Sequence, residues 1–284
     1  MANIAFLGTG LLGSAFAEAA ATRGDSVTAW NRSPDKVLAL VKCGVRAATT
    51  PAEAVEGAVR VHLVLKEDVV VDEVIAAARE GLSADVVLID HSTTLPKLTA
   101  ERAKRLRAVG IHYLHCPVFM GPPDARSARG TMLISGPKAV FESVQNDLAR
   151  MTGRLDYMGE RPDLAAVYKL FGNAMFIGIR GLMADILSMA KASGVDPEDA
   201  IKLLGMLDLN AVVAGRGASM AKCNFAPGFE LTMARKDVQL MLETAGNLPL
   251  AALPSLAARV DQLIADGYGA EDASVLAIDA VRQS

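Results

Sequence analysis

"NIAFLGTGLLGSAFAEAAATRGDSVTAWNRS", residues 3–33, decides the fold. Residues 3–8 form a short apolar run that stops at glycine, the pattern of a buried strand entering a turn. Residues 11–24 have helical spacing and end on Gly24, a residue suited to the C′ position. Residues 26–31 are β-rich. The turn between the first strand and the helix carries Gly8, Gly10 and Gly13. The first permits a tight turn, the second lets backbone approach a pyrophosphate, and the third lets helix and strand pack closely. The helix start, at Leu11 and Leu12, offers free N–H groups and a positive dipole end to the phosphates. Glycine turns join many strands to helices. What selects the dinucleotide reading here is the placement inside a strand–turn–helix–strand unit.

At the end of the second strand an NAD-specific site would carry Asp or Glu for the ribose 2′-hydroxyl. This sequence has Asn31, Arg32 and Ser33. A carboxylate would repel a 2′-phosphate, whereas Arg32 can pair with it and stack on adenine. NADP is therefore expected over NAD. The alternative is that Arg32 is an ordinary solvated residue.

Outward from this unit, strand and helix signals keep alternating. Strands are predicted at 60–65, 85–90, 111–118, 131–136 and 154–159. Helices are predicted at 33–44, 68–79, 96–109 and 137–151. Strands alternating with helices of this length imply a parallel sheet covered on both faces. From about Leu164 no convincing strand follows. One long helix is predicted from Leu164 to Ala192, stopping where Gly194, Asp196 and Pro197 supply a C′ residue, an N-cap and a first helical position. Later helices are expected near 197–206, 230–245, 250–266 and 270–281. The expected fold is α/β: a Rossmann-type, doubly wound, mostly parallel sheet over residues 1–162, followed by an all-α substrate and dimerisation domain over 163–284.

Composition narrows the partners. The 284 residues carry a net charge of −3, which gives no reason to expect nucleic acid or an anionic membrane. The start lacks the basic segment of a signal peptide. No stretch of eighteen residues reads as a membrane span; the longest apolar run, Leu170 to Met183, contains Asn173 and Arg180. Cys43, Cys116 and Cys223 are odd in number and far apart, so a reducing, cytoplasmic compartment is expected. The four histidines make no ligand pattern, and no metal is expected.

"AAVYKLFGNAMF", residues 165–176, places Lys169 and Asn173 one helical turn apart on one face of an otherwise apolar helix. Singly, each could be structural: a snorkelling lysine, a satisfied buried amide. Next to a dinucleotide turn they read as a reaction centre. A lysine ammonium partly desolvated in a cleft has a lowered pKa and can donate and recover a proton near neutrality.

Taken in order, these motifs resemble the β-hydroxyacid dehydrogenases, which include 3-hydroxyisobutyrate dehydrogenase and the glyoxylate/succinic semialdehyde reductases. The resemblance covers essentially the whole chain. "FLGTGLLGSAFA" looks like that family's cofactor turn, and "VTAWNRS" like its NADP-preferring branch. "VLIDHSTTLP" is similar to the segment whose hydroxyl residue lies by the nicotinamide, which maps to Thr93. Leu65 is likewise implied at the cofactor. "YKLFGNAM" matches the catalytic lysine and its asparagine, at Lys169 and Asn173. "ARKDVQL" resembles a C-terminal lysine–aspartate motif carried by Lys236 and Asp237, with Lys236 implied at the cofactor. The resemblance implies hydride transfer between nicotinamide and a small carbonyl or β-hydroxyacid-type substrate, with Lys169 as general acid/base.

The chain departs from the pattern at the substrate loop. Family members usually carry Ser-Gly-Gly there to bind a carboxylate, and this chain has Phe119, Met120 and Gly121. The first of two neighbouring asparagines is Gly172. Phe119, Met120 and Gly121, with Lys169 and Asn173, are the expected substrate residues, in a more apolar pocket. Two other functions stay in view: an imine reductase-like enzyme, which the apolar loop favours, and a non-catalytic dinucleotide-binding sensor, which retention of Lys169 disfavours. His112 and His115 read as structural, with no carboxylate partner evident. The apolar length of the 164–192 helix implies a homodimer or homotetramer.

Overall fold

A strand buried on both faces is apolar wherever it is covered, and β1 (Asn3–Leu7) is the case in point, apolar and buried from Ile4 onward. Ala5 and Leu7 belong to one apolar cluster and Ile4 and Phe6 to another, so alternate side chains feed opposite faces of the sheet. The computed structural model describes residues 2–282. Its contacts divide the chain into two compact units, Met1–Asn173 and Ala174–Ser284.

In the first unit the order is β1, α1 (Leu11–Thr22), β2 (Ser26–Trp30), α2 (Pro34–Val41), β3 (Arg46–Ala47), α3 (Pro51–Val55), β4 (Arg60–Leu63), α4 (Asp68–Ala78), β5 (Val87–Asp90), α5 (Pro96–Ala108), β6 (His112–His115), β7 (Val118–Phe119), α6 (Pro122–Arg126), β8 (Thr131–Ser135), α7 (Lys138–Ala149), β9 (Arg154–Gly159) and the start of α8 (Leu164–Ala192). The sheet runs β3-β2-β1-β4-β5-β6-β8-β7, with β9 on β8. The six strands β1–β6 pair parallel, and β8 turns antiparallel to β6 and β7. The chain winds outward from β1 through β2 to β3, then returns to place β4 on the other side of β1. That reversal opens a crevice at the carboxyl ends of β1 and β4, where open α/β sheets bind ligands.

The expected Rossmann-type sheet and helical second part are both present. Three local readings need correction. The single strand expected over 111–118 is two, because Pro117 offers no N–H to a ladder and the chain breaks between β6 and β7. The helix expected over 270–281 is a 3₁₀ turn at Ala273–Ala277 followed by one α-turn, α13 (Ile278–Val281). A helix missed in sequence, Leu209–Ala221, contains Gly215 and Gly217, whose poor propensity hides it.

With that helix as α10, the second unit holds the rest of α8, then α9 (Pro197–Lys202), α10, α11 (Leu231–Ala245), α12 (Leu253–Leu263) and α13. Phe225, Leu231, Val260, Leu263, Val275 and Ile278 form its core. Asp185 is buried on α8. Burial opposes its ionisation, but backbone N–H groups of Leu253, Ala251 and Ala252 donate to it and hold its pKa below the usual carboxylate range. The carboxylate thereby caps α12, which has no side-chain cap of its own.

α8 is also a correction. It spans 29 residues with a mean hydropathy of 1.4 over its most apolar window, long and apolar enough to cross a membrane by length and composition. Asn173 and Arg180 do not lower it below that level. The two compact units meet inside α8, between Asn173 and Ala174. Its first turns are held by β8: the Ser135 hydroxyl donates to the Pro162 carbonyl and accepts from the Ala165 N–H.

Candidate active site

The glycine turn is built as the sequence requires. Gly8 has φ +100°, and a Cβ there would collide with the Val64 carbonyl oxygen. A Cβ on Gly13 would run into the carbonyl oxygen of Gly8, so helix and turn close on each other without a side chain between them. Nothing lies near a Cβ on Gly10, which is the N-cap of α1 and supplies no side-chain cap. The first N–H groups of α1 are thus left to a ligand. Leu11 is 85% exposed at the mouth, while Leu12 packs on the core.

The crevice at this turn has a volume of about 420 Å³. It gathers Gly8, Gly10, Asn31, Arg32, Ser33 and Leu65, six of the residues expected at the cofactor. Val64, Val70 and Val74 give it apolar walls suited to a flat ring. Asn31 also braces the structure. Its Oδ1 accepts from the Thr9 N–H at 3.0 Å, and its Nδ2 donates to the Ser33 carbonyl at 3.1 Å. The amide therefore ties the end of β2 to the glycine turn. Arg32 is exposed and has no partner among the described residues. Lys36, which sequence reasoning passed over, lines the same crevice. Its signal was its spacing: four residues after Arg32, in the first turn of α2.

A second cluster lies where the chain leaves β6. Lys169 is half-buried, its Nζ donates to the Val118 carbonyl at 2.7 Å, and it stands 4.2 Å over the centre of the Phe119 ring. Burial lowers its pKa from the ordinary lysine value. Asn173, also half-buried, shares its face of α8. Gly172 meets the ring directly: a Cβ there would lie 2.6 Å from Cε1 of Phe119 and closer still to Cζ. Met120 packs beside the core, and the N–H of Gly121 donates to the Asp124 carboxylate.

The glycine crevice and the lysine cluster both stand at the carboxyl edge of the parallel strands, and buried contacts join them. Phe16 of α1 packs on the His91 ring, and His91 Nδ1 lies 2.8 Å from the Cys116 carbonyl, two residues before Val118. A carbonyl only accepts, so His91 Nδ1 carries a proton. In a neutral ring His91 Nε2 then accepts from His62 Nδ1 at 3.0 Å. His62 and His91 both have pKa values lowered by burial, which keeps them neutral. His115 is fully buried with its Nδ1 3.9 Å from Asp90, a carboxylate partner contributed by the neighbouring strand and invisible in sequence. Burial takes its pKa down to about 4 against the pull of Asp90. Burial raises the Cys116 thiol well above its ordinary value, as does Asp90, so it is no nucleophile.

Two further expected residues have other local surroundings. Thr93 is exposed and outside the lining of the crevice, while its neighbour Ser92 ties strand ends together by accepting from the Leu65 N–H. Lys236 lies on α11, in the second unit, 2.6 Å from the carboxylate of Asp237. Among the described residues no group of three or more His, Cys, Asp or Glu is placed to hold a metal.

Two family models match the chain in succession. Residues 3–159 match the NAD binding domain of 6-phosphogluconate dehydrogenase, and residues 164–278 match the NAD-binding domain of NADP-dependent 3-hydroxyisobutyrate dehydrogenase. The chain is 28% identical over 298 residues to the 3-sulfolactaldehyde reductase of Escherichia coli (strain K12), covering 100% of this chain and 97% of that one. It is 26% identical over 280 residues to the chloroplastic glyoxylate/succinic semialdehyde reductase 2 of Arabidopsis thaliana, covering 97% and 78%. An imine reductase from Pseudomonas sp. has the same fold, with a TM-score of 0.89 at 20% identity over 99% of both chains.

Proposed function

The chain belongs to the β-hydroxyacid dehydrogenases, NAD(P)-dependent oxidoreductases whose nucleotide half is the 6-phosphogluconate dehydrogenase type, and we propose that it is an NADP-dependent reductase of a small carbonyl compound. The observation that carries this reading is the half-buried Lys169 amine, fixed at the carboxyl edge of the sheet that also holds the glycine crevice. The turn from Gly8 to Gly13 suits a pyrophosphate. Arg32, Ser33 and Lys36, after the end of β2, supply two cations and a hydroxyl suited to a 2′-phosphate; the carboxylate in the lining, Glu73, comes from α4. The bound dinucleotide supplies or accepts the hydride. Reduction builds negative charge on the carbonyl oxygen, and Lys169 delivers the proton that oxygen requires; oxidation of the alcohol returns it. Asn173 holds the same oxygen or orients the amine.

Phe119 favours a second reading, reduction of a C=N bond, because an aromatic ring stands where a carboxylate anchor was expected. One experiment separates the two: aldehydes, semialdehydes, hydroxyacids and cyclic imines assayed with NADPH, NADH and their oxidised forms. Turnover of carbonyl substrates with NADPH supports the main reading. Turnover of imines alone would replace it, and a clear preference for NADH would remove the NADP assignment.

We also propose that a second copy covers the apolar residues exposed along α8 and α10, among them Phe171, Ile177, Leu182, Val212 and Val213, giving a homodimer or homotetramer. A monomer by light scattering at micromolar concentration would overturn this. The free, scattered cysteines support a cytoplasmic setting.

A further inference from the structure

The lysine cluster contains a fit that neither cofactor chemistry nor the helix alone explains. β7 pairs antiparallel with β8, Val118 opposite Met132 and Phe119 opposite Thr131. Val118 sends its side chain into the core, so strand alternation turns Phe119 the other way, toward α8. The backbone of β7 is pinned from behind: a Cβ on Gly130 would lie 2.6 Å from Cβ of Met120 and 2.7 Å from the Phe119 carbonyl oxygen. The ring then lies over Gly172, in space any larger residue would fill. Lys169 is three positions earlier on the same helix face, and its amine meets the ring face on one side and the Val118 carbonyl on another. Two consecutive residues of one short strand thus grip a single ammonium, one by its carbonyl and one by its π-face.

We propose that Phe119 is a positioning residue for Lys169: its ring, admitted by Gly172, holds the amine in one place and keeps water from it. The proposal rests on the reading of Lys169 as proton donor. Removing the ring admits water and restores ordinary solvation to the amine. Placing a methyl on residue 172 should do the same by displacing the ring, in a helix that gains propensity from the change.

The experiment measures Lys169 itself. The full-length, ligand-free protein is labelled with acetic anhydride across a pH series, and modification of Lys169 is read by peptide mass spectrometry in the wild type, Phe119→Ala, Gly172→Ala and Phe119→Tyr. The expected result is a titration midpoint that rises toward the ordinary lysine value in Phe119→Ala and Gly172→Ala and stays at the wild-type position in Phe119→Tyr. Circular dichroism confirms folding of each variant. An unchanged or lowered midpoint in both folded Phe119→Ala and Gly172→Ala would overturn the proposal, a lowered one because it would mean that the π-face's hold on the ammonium outweighs the exclusion of water. Substrate is absent, so this outcome is independent of the reaction catalysed. The pH profile of kcat/KM then tests the functional reading separately. If the labelled midpoint moves and the kinetic profile does not, Phe119 positions the amine but the amine is not the proton donor.

Discussion

The glycine crevice and the lysine cluster share one sheet edge and are made of different material. The crevice is mostly backbone: a carbonyl that forbids a Cβ at Gly8, another that forbids one at Gly13, and helix N–H groups left without a cap. The lysine cluster is side chains that meet across fifty residues of sequence: a ring against a glycine, an ammonium against a carbonyl. Backbone sites depend on local conformation and are rewritten only at high steric cost. Side-chain sites depend on what packs opposite and can be rebuilt by one complementary pair of substitutions. Phe119 and Gly172 are such a pair: a large residue on the strand is matched by the smallest on the helix. The glycine turn is therefore the fixed part of this molecule, and the side-chain cluster around Lys169 is the part free to specialise.

The sharpest way to separate the two regions is to remove the amine. Lys169→Ala should lower kcat/KM by about 10²- to 10⁴-fold, the usual contribution of a positioned proton donor. The Kd for NADPH, measured by fluorescence titration, should stay near the wild-type value. Equal loss of binding would mean that the two regions are one site energetically.

Between the regions lies the buried histidine layer, and it predicts how acid breaks both together. His115, fully buried, has its pKa lowered by burial to about 4, and those of His62 and His91 are lowered too. The groups facing His115 are Asp90, Arg102, His91 and Asp68. A neutral buried histidine takes up its proton later than the unfolded chain does. Below about pH 6.5 the unfolded state binds more protons, so stability is complete above that pH and falls as pH drops toward 4. At roughly 1.4 kcal/mol per pKa unit, His115 alone accounts for a loss on the order of 3 kcal/mol at the bottom of that window. Urea unfolding at pH 7.5 and 5 should show the decline, and His115→Leu should flatten part of it. Neither ring nitrogen of His115 has a hydrogen-bond partner among the described residues, so an apolar replacement removes little at neutral pH.

How much of this was legible in sequence follows the same contrast. The turn, the helix behind it and the strand after it were readable because glycine spacing and apolar runs act over a few residues. Lys169 and Asn173 were readable as a pair because helical geometry fixes their relation. The break at Pro117 is masked in sequence because the apolar run continues through a residue with no N–H to give. α10 is hidden because Gly215 and Gly217 argue against a helix, and it buries no residue whose spacing could reveal one. The ring over Gly172 was out of reach: sequence shows an aromatic residue in a loop and a glycine in a helix, and nothing local says that one fills the space left by the other. The same holds for Asp90 beside His115, which are neighbours only because β5 pairs with β6.

Gly13→Ala should damage the backbone region alone. The new methyl meets the Gly8 carbonyl, and overpacking of this kind costs about 1–3 kcal/mol. Weaker NADPH binding and a lower Tm are expected, while the acetic anhydride titration of Lys169 keeps its wild-type midpoint. A shifted midpoint would show that the turn's geometry reaches the lysine through the histidine layer.

The smallest expected effect concerns the one part of the crevice that is side chain rather than backbone. Arg32 is exposed, so its contribution to cofactor choice is screened: an exposed ion pair is worth at most about 1 kcal/mol, and a hydrogen bond to a charged group about 1.5–3 kcal/mol. Arg32→Asp both removes the cation and introduces the carboxylate that an NAD site uses. The ratio of kcat/KM for NADPH over NADH should therefore fall by roughly ten- to a hundredfold, since each 1.4 kcal/mol is a factor of ten. Lys36→Ala should lower the ratio less, because Ser33 and Arg32 remain to meet the phosphate. The two changes together should give less than the product of their separate effects, because both cations act on one phosphate. Asn31 serves as the control. Its amide braces the turn at Thr9, so Asn31→Ala should weaken both cofactors alike and leave the ratio where it is. A ratio that moves with Asn31 and not with Arg32 would place cofactor choice in the backbone after all.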